Sequence, residues 1–313
     1  MKIVFLDAKT IGEDIDLSGF DALGEVVKYG FSTTEEARER SKDADVLILN
    51  KVQVNQQTIG EADHLKLVCV TATGTNNLDK EYLDKRGIAW RNVAGYSTES
   101  VAQHTFAMLF YLLEKLPYYD DYVKSEKYVN DVSFTHFAKA FHDLSGMTYG
   151  IIGLGNIGRR VADIAKAFGC RVIYYSTSGR NSQPGYERVD FDELLEQSDI
   201  VSIHAPLDEN TLGLMNKEAF AKMKNSAILL NVGRGPIINE ADLAEALNNK
   251  TIAAAGLDVL SVEPMQEDNP LRGIKDSELL LITPHIAWAG VEARNRLMGI
   301  ILGQIKEFFK AHE

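Results

Sequence analysis

The chain has 313 residues, 45% hydrophobic and 25% charged, a length that suits two folded domains and a balance that excludes extended disorder. Its formal net charge of −12 opposes attachment to nucleic acid or to an anionic membrane surface, both of which are reached through clustered Lys and Arg. No stretch approaches the ~20 apolar residues of a membrane span, the opening apolar run is too short for a signal peptide, and Cys69 and Cys170 stand too far apart for a disulfide framework or a zinc site, so a cytoplasmic protein without a metal is expected.

In chain order, residues 2–6 form the first expected strand, residues 34–42 a helix, and residues 46–49 and 67–70 two further strands. A helix is expected over residues 99–116, where Val101, Ala102, Thr105, Leu109, Leu112, Leu113 and Leu116 recur at helical spacing; Ser97 suits its N-cap and Glu99 its first turn. Strands follow at residues 148–152, 171–175, 200–204, 227–231, 253–257 and 279–283, and a closing helix at 294–310. Short β-branched runs alternating with helices predict an α/β protein with parallel sheets. Residues 42–48 and 197–203 share a pattern, an acidic helix end running into a buried strand, which is consistent with two similarly wound units. A return of the closing helix to the first unit would make that unit discontinuous.

Gly153-Leu154-Gly155-Asn156-Ile157-Gly158 lies between an expected strand and an expected helix, the setting a dinucleotide-binding turn needs. Gly153 permits the tight turn, Gly155 lets the backbone approach a pyrophosphate, Gly158 allows close helix-to-strand packing, and the phosphates meet free N–H groups at the helix start. The next strand ends at Ser176, where a chain restricted to NAD carries Asp or Glu for the ribose 2′-hydroxyl. Without that carboxylate a 2′-phosphate is not repelled, and Ser176, Thr177, Ser178 and Arg180 are placed to contact it; the expectation is NAD(P)(H), with NADP(H) tolerated or preferred.

Three more strand ends carry chemistry. Arg234 stands between Gly233 and Gly235, and its guanidinium suits paired hydrogen bonds to a carboxylate at any working pH. Glu263 precedes Pro264, and His285 follows the last strand. Reducing a ketone needs a proton for the oxygen as hydride reaches the carbon, which an imidazole can give, and a neighbouring carboxylate would orient that imidazole and favour its charged form. The other histidines, among them His64, His104, His136, His142 and His204, are expected in packing or surface roles.

The sequence resembles the D-isomer-specific 2-hydroxyacid dehydrogenase family over nearly its whole length. The resemblance is carried by the glycine turn, Asn231-Val232-Gly233-Arg234-Gly235, Gly256-Leu257-Asp258-Val259 with Glu263-Pro264, and Thr283-Pro284-His285-Ile286-Ala287. It implies that Arg234 binds the substrate carboxylate and carbonyl, that His285 is the acid/base and that Glu263 pairs with it. It places Asn156, Ile157, Ser176, Ala205, Pro206, Thr211, Val232, Gly233 and Asp258 against the dinucleotide, and makes Ala72-Thr73-Gly74-Thr75-Asn76 a substrate-carboxylate loop. The implied architecture is two doubly wound parallel-sheet domains, Rossmann-like and flavodoxin-like, with a cleft between them. The substrate-binding domain spans residues 1–98 and 286–313, the dinucleotide-binding domain residues 99–285, and the assembly is a homodimer. Residues 70–77, 94–104 and 285–289 look like the glycerate dehydrogenase, or hydroxypyruvate reductase, branch. Glu263 argues against formate, since formate dehydrogenases of the family carry Gln there. The expected substrate is a small anionic 2-keto or 2-hydroxy acid. The alternatives are a D-lactate-type or branched 2-keto acid reductase and a non-catalytic dinucleotide-sensing binding protein.

Overall fold

The computed structural model describes residues 1–180 and 182–311 and divides into two compact units, Met1–Ser97 with Ala289–Glu313, and Thr98–Trp288. The chain changes units at Ser97 and again at Trp288, against the sequence-based boundaries at residues 98 and 285.

In the first unit β1 (Lys2–Phe5), β2 (Glu25–Lys28), β3 (Val46–Leu49), β4 (Leu67–Val70) and β5 (Ala89–Arg91) form a parallel sheet ordered β2-β1-β3-β4-β5. β3 and β4 are buried at every position, as inner strands covered on both faces must be. Val4, Leu6, Leu47, Leu49, Val68 and Val70 pack with Ala37, Ile59 and Leu83 on one face. The intervening Ile3, Phe5, Ile48 and Cys69 are equally buried, and Phe5 meets Phe20 edge-on at 5.3 Å.

Local chemistry sets the helix ends. The helix Thr34–Ser41 opens on a capping box between Thr33 and Glu36, and Lys80–Arg86 closes on Gly87 at φ +67°, whose N–H bonds back into the last turn. The C-terminal helix Val291–Lys310 belongs to this unit and is fastened to it by side chains. Arg294 pairs with Asp14 and donates to the Ile11 carbonyl, Arg296 donates to the Tyr96 carbonyl, and Gln304 to that of Asn92. The Arg294 guanidinium holds the Asp14 carboxyl below its usual range.

The second unit opens with the helix Thr98–Leu113. Its strands are β6 (Thr148–Ile152), β7 (Arg171–Tyr175), β8 (Glu187–Arg188), β9 (Ile200–Ile203), β10 (Ile228–Asn231), β11 (Ala254–Leu257) and β12 (Leu280–Ile282). They form one parallel sheet ordered β12-β11-β10-β9-β6-β7-β8. Alternate residues feed two cores, as the period of a strand requires: Tyr149, Ile151, Ile200, Ile228 and Leu230 one, Ile152, Val201, Ile203, Leu229 and Leu257 the other. The sheet is therefore doubly wound. Strand order reverses between β6 and β9, and ligands of such sheets collect beyond the carboxyl ends at that point. Among the described residues no helix is long and apolar enough to cross a membrane.

Candidate active site

The glycine turn leaves β6 at the reversal of strand order. Gly153 has φ +91°, and a Cβ there would stand 2.8 Å from the Ala205 backbone, so both conformation and space require glycine. At Gly158 a Cβ would run into the Gly153 carbonyl oxygen. Helix Asn156–Ala167 accordingly turns Gly158, Val161, Ala162 and Ala165 inward, small residues at helical spacing that allow close approach to the sheet.

Gly155 behaves differently, since a Cβ there would meet nothing within 4 Å. It is the N-cap of that helix and makes no side-chain cap, whereas Asp79, Asn216 and Asn239 cap theirs with side-chain oxygens. The first-turn N–H groups thus have no side-chain cap and stand at the positive end of the helix dipole, with open space beside Gly155, a cradle that fits a pyrophosphate. Arg159 adds a cation to this turn, held by Asn156 Oδ1 at 2.5 Å, a contribution sequence reasoning passed over.

Ser176, buried, directly follows β7. Its carbonyl accepts the Gly179 N–H at 3.1 Å, and the chain turns to the exposed Arg180, so Ser176 and Arg180 share one turn at the end of the strand. Across the sheet, Ala205 packs against Gly153, and Thr211, fully buried, donates its hydroxyl to the Pro206 carbonyl at 2.7 Å and accepts the Asp208 N–H at 2.9 Å. Thr211 therefore shapes the loop that carries Ala205 and Pro206.

β10 ends in Asn231, whose side chain braces the turn after it: Oδ1 accepts the Gly233 N–H and Nδ2 donates to the Arg234 carbonyl, both at 3.0 Å. Val232, Gly233 and Arg234 are half-buried on this turn, and Arg234 Nη1 folds back onto the Gly233 carbonyl at 2.7 Å. A Cβ on Gly235 would collide with the Leu260 backbone, so glycine lets the Arg234 turn abut the segment leading to Glu263.

Glu263 Oε1 accepts the Leu260 N–H at 3.0 Å, and Oε2 lies 2.7 Å from His285 Nδ1. An ionised carboxylate only accepts, so Nδ1 carries the proton and Nε2 is the nitrogen left to exchange one. Both side chains are about one-third exposed, at 29% and 32%. His285 sits at φ +56°, uncommon for a residue with a Cβ. Asp258, 1% exposed, holds it there: the Asp258 carbonyl accepts the His285 N–H at 2.9 Å, and its carboxylate accepts those of Ile286 and Ala287 at 2.9 and 2.8 Å. Here Asp258 acts as a clamp on the histidine turn. His104, expected in packing, reaches this clamp: its Nε2 lies 3.0 Å from Thr283 Oγ1, which donates to Asp258 at 2.6 Å.

Thr73, Gly74 and Thr75 lie in the first unit, after β4. The Thr73 hydroxyl is engaged with the Val93 carbonyl at 3.0 Å, and its own carbonyl accepts from Asn92 Nδ2 at 2.6 Å. Asn77 ties this loop to the one after β3 through the Asn50 and Val52 carbonyls.

A model of the D-isomer specific 2-hydroxyacid dehydrogenase NAD binding domain matches residues 106–287. A hydroxypyruvate reductase of Blautia hydrogenotrophica is 39% identical, covering 99% of this chain and 97% of its own. A glycerate dehydrogenase of Methylorubrum extorquens is 34% identical, covering 98% and 96%. Among solved structures, an NADPH-dependent glyoxylate/hydroxypyruvate reductase of Sinorhizobium meliloti, in complex with NADP and malonate, superimposes with a TM-score of 0.81 at 25% identity, over 98% of this chain and 93% of that one. The glycine turn, the doubly wound sheet and these similarities agree: the chain belongs to the D-isomer-specific 2-hydroxyacid dehydrogenases, oxidoreductases that act on the CH–OH group of their donors with a nicotinamide dinucleotide.

Proposed function

We propose that the chain reduces hydroxypyruvate to D-glycerate, and glyoxylate to glycolate, reversibly. The observation that carries this reading is the linked set on one sheet edge, the Arg234 turn abutting the Glu263 segment and Glu263 bonded to His285, in the unit that holds the glycine turn. The hydroxypyruvate reductase and glycerate dehydrogenase relatives support the choice of substrate.

The bound dinucleotide supplies the hydride. Arg234 holds the keto acid through its carboxylate and stabilises the charge that grows on the carbonyl oxygen. His285 delivers the proton from Nε2 to that oxygen, and Glu263 keeps Nδ1 protonated and the ring oriented. In the first unit, the backbone around Thr73, Gly74 and Thr75 is by itself a candidate anion contact, since the Thr73 hydroxyl is already engaged. Ser176 in place of an acid, with Arg180 on the same turn, supports acceptance of NADPH alongside NADH.

We also infer a homodimer, at work in the cytoplasm. Several large apolar side chains between residues 116 and 141 face outward, among them Val132, Phe134 and Phe137 at 103%, 91% and 87% exposure. The phenols of Tyr118, Tyr119, Tyr122 and Tyr128 are hydrogen-bonded inside the same segment, so it is held in shape while its apolar groups stay outside, which suits a protein partner.

The test is oxidation of NADH and NADPH with hydroxypyruvate, glyoxylate, pyruvate and 2-ketoisocaproate. Hydroxypyruvate is expected to give the highest kcat/KM, with glyoxylate next. A preference for pyruvate or 2-ketoisocaproate would assign a lactate-type or branched-acid reductase, silence on all four a binding protein. A preference for NADH above about a hundredfold would overturn the reading of Ser176.

A further inference from the structure

We infer that His104 is a positioning residue for the reaction: through Thr283 and Asp258 it fixes the left-handed turn that presents His285. This rests on the reading of His285 as the proton donor.

His104 lies on the helix Thr98–Leu113, its side chain 20% exposed, far in sequence from the residues it touches. Its Nε2 is 3.0 Å from Thr283 Oγ1 and 3.6 Å from Asp258 Oδ1. Thr283 Oγ1 is itself 2.6 Å from Asp258 Oδ1. A hydroxyl has one proton, and the carboxylate, which only accepts, takes it; Thr283 can therefore only accept from His104, and Nε2 must carry hydrogen. The direction of the chain follows, from His104 to Thr283 to Asp258.

The backbone N–H groups from His285 to Ala287 all reach Asp258, the first shared between its carbonyl at 2.9 Å and that of Thr283 at 3.0 Å, the next two on its carboxylate. The carboxylate Oδ1 thus takes both the Ile286 N–H and the Thr283 hydroxyl, and Oδ2 takes the Ala287 N–H. A left-handed residue with a Cβ persists only where its surroundings over-determine it. Removing the Thr283 hydroxyl, or the His104 donor that orients it, loosens the Oδ1 that also holds the Ile286 N–H and lets the turn relax, which displaces the imidazole while Arg234, on a different turn, keeps its place.

The test is steady-state reduction of hydroxypyruvate by the full-length protein, with coenzyme Kd from fluorescence titration. His104→Leu and Thr283→Val are expected to lower kcat by roughly 10- to 100-fold, the range a displacement of about 1 Å produces, with substrate KM and coenzyme Kd within about threefold of wild type. His104→Gln and Thr283→Ser, which keep the donor and the hydroxyl, are expected to recover most of that loss. Adding His104→Leu to His285→Ala is expected to cost nothing further, because residues that act through one group are not additive. Wild-type kcat in both His104→Leu and Thr283→Val, with His285→Ala inactive, would overturn this inference and leave the assignment of His285 standing. A further loss in the double variant would overturn it too, by showing a general effect on the fold. Near-normal turnover in His285→Ala would overturn both.

Discussion

His285 combines a left-handed backbone with a carboxylate 2.7 Å from Nδ1, and neither feature is local. The first is imposed by Asp258 and the second by Glu263, so the orientation of this ring is fixed by the segment that follows β11. Arg234 is the more self-contained group: Asn231 fixes its turn and the flanking glycines make room. Replacing it by Lys keeps the charge and loses the paired donors. Arg234→Lys should raise KM for hydroxypyruvate by about 10- to 100-fold, the worth of one charge-assisted hydrogen bond, and initial-rate kinetics showing an unchanged KM would remove Arg234 from carboxylate binding. At this scale the sequence was most legible where chemistry lies in short motifs, as with Gly153, Gly155 and Gly158. It was silent on His104, whose partner Thr283 is 179 residues away and whose significance lies only in what the fold brings to it.

Among elements, the inner strands were legible because burial on both faces leaves a continuous apolar run, as in the VLIL of β3 and the LVCV of β4. The strands β2, β5 and β8 were not, since they lie at sheet edges, carry partly exposed or exposed side chains, and spell no such run. The helix expected to run to residue 116 ends at Leu113, and Leu116 instead begins a second helix after Lys115 in a left-handed conformation.

Just past β9 stands a half-buried histidine with an inward-facing Nδ1, whose charge state couples this element to pH. His204 bonds Ser202 Oγ through Nε2 at 2.9 Å, while its Nδ1 is buried without a partner among the described residues, and burial pulls the imidazole down to about 3. Its folded value lies below its unfolded one, so the ring takes a proton only on unfolding, and stability falls as pH drops below the unfolded value of 6.5. Through His204 the protein should lose about 2 kcal/mol between pH 7 and pH 5, and urea unfolding at the two pH values should show a smaller loss in His204→Gln. Equal losses in the two proteins would mean that His204 is not buried as neutral imidazole.

For the whole molecule, discontinuity of the first unit could be suspected from the sequence and no more, because helical periodicity in the closing segment says nothing about which sheet it covers. What decides it is pairwise: Arg294 with Asp14 and Ile11, Gln304 with Asn92. The outward apolar groups between residues 116 and 141 belong to the same scale, and the chain mass of 34.7 kDa should appear doubled in sedimentation equilibrium. Replacing Phe134 and Phe137 together by Ser should shift that mass towards a single chain, and a wild-type monomer at micromolar concentration would contradict the dimer.

The proposed chemistry depends most on the proton that His285 holds against Glu263 and delivers to substrate, and its most direct measurement is the turnover of His285→Ala on hydroxypyruvate under saturating coenzyme. The expected result is a fall in kcat of roughly a hundredfold or more, the usual worth of a general acid, with coenzyme binding intact. Turnover close to wild type would contradict that role and the mechanism built on it.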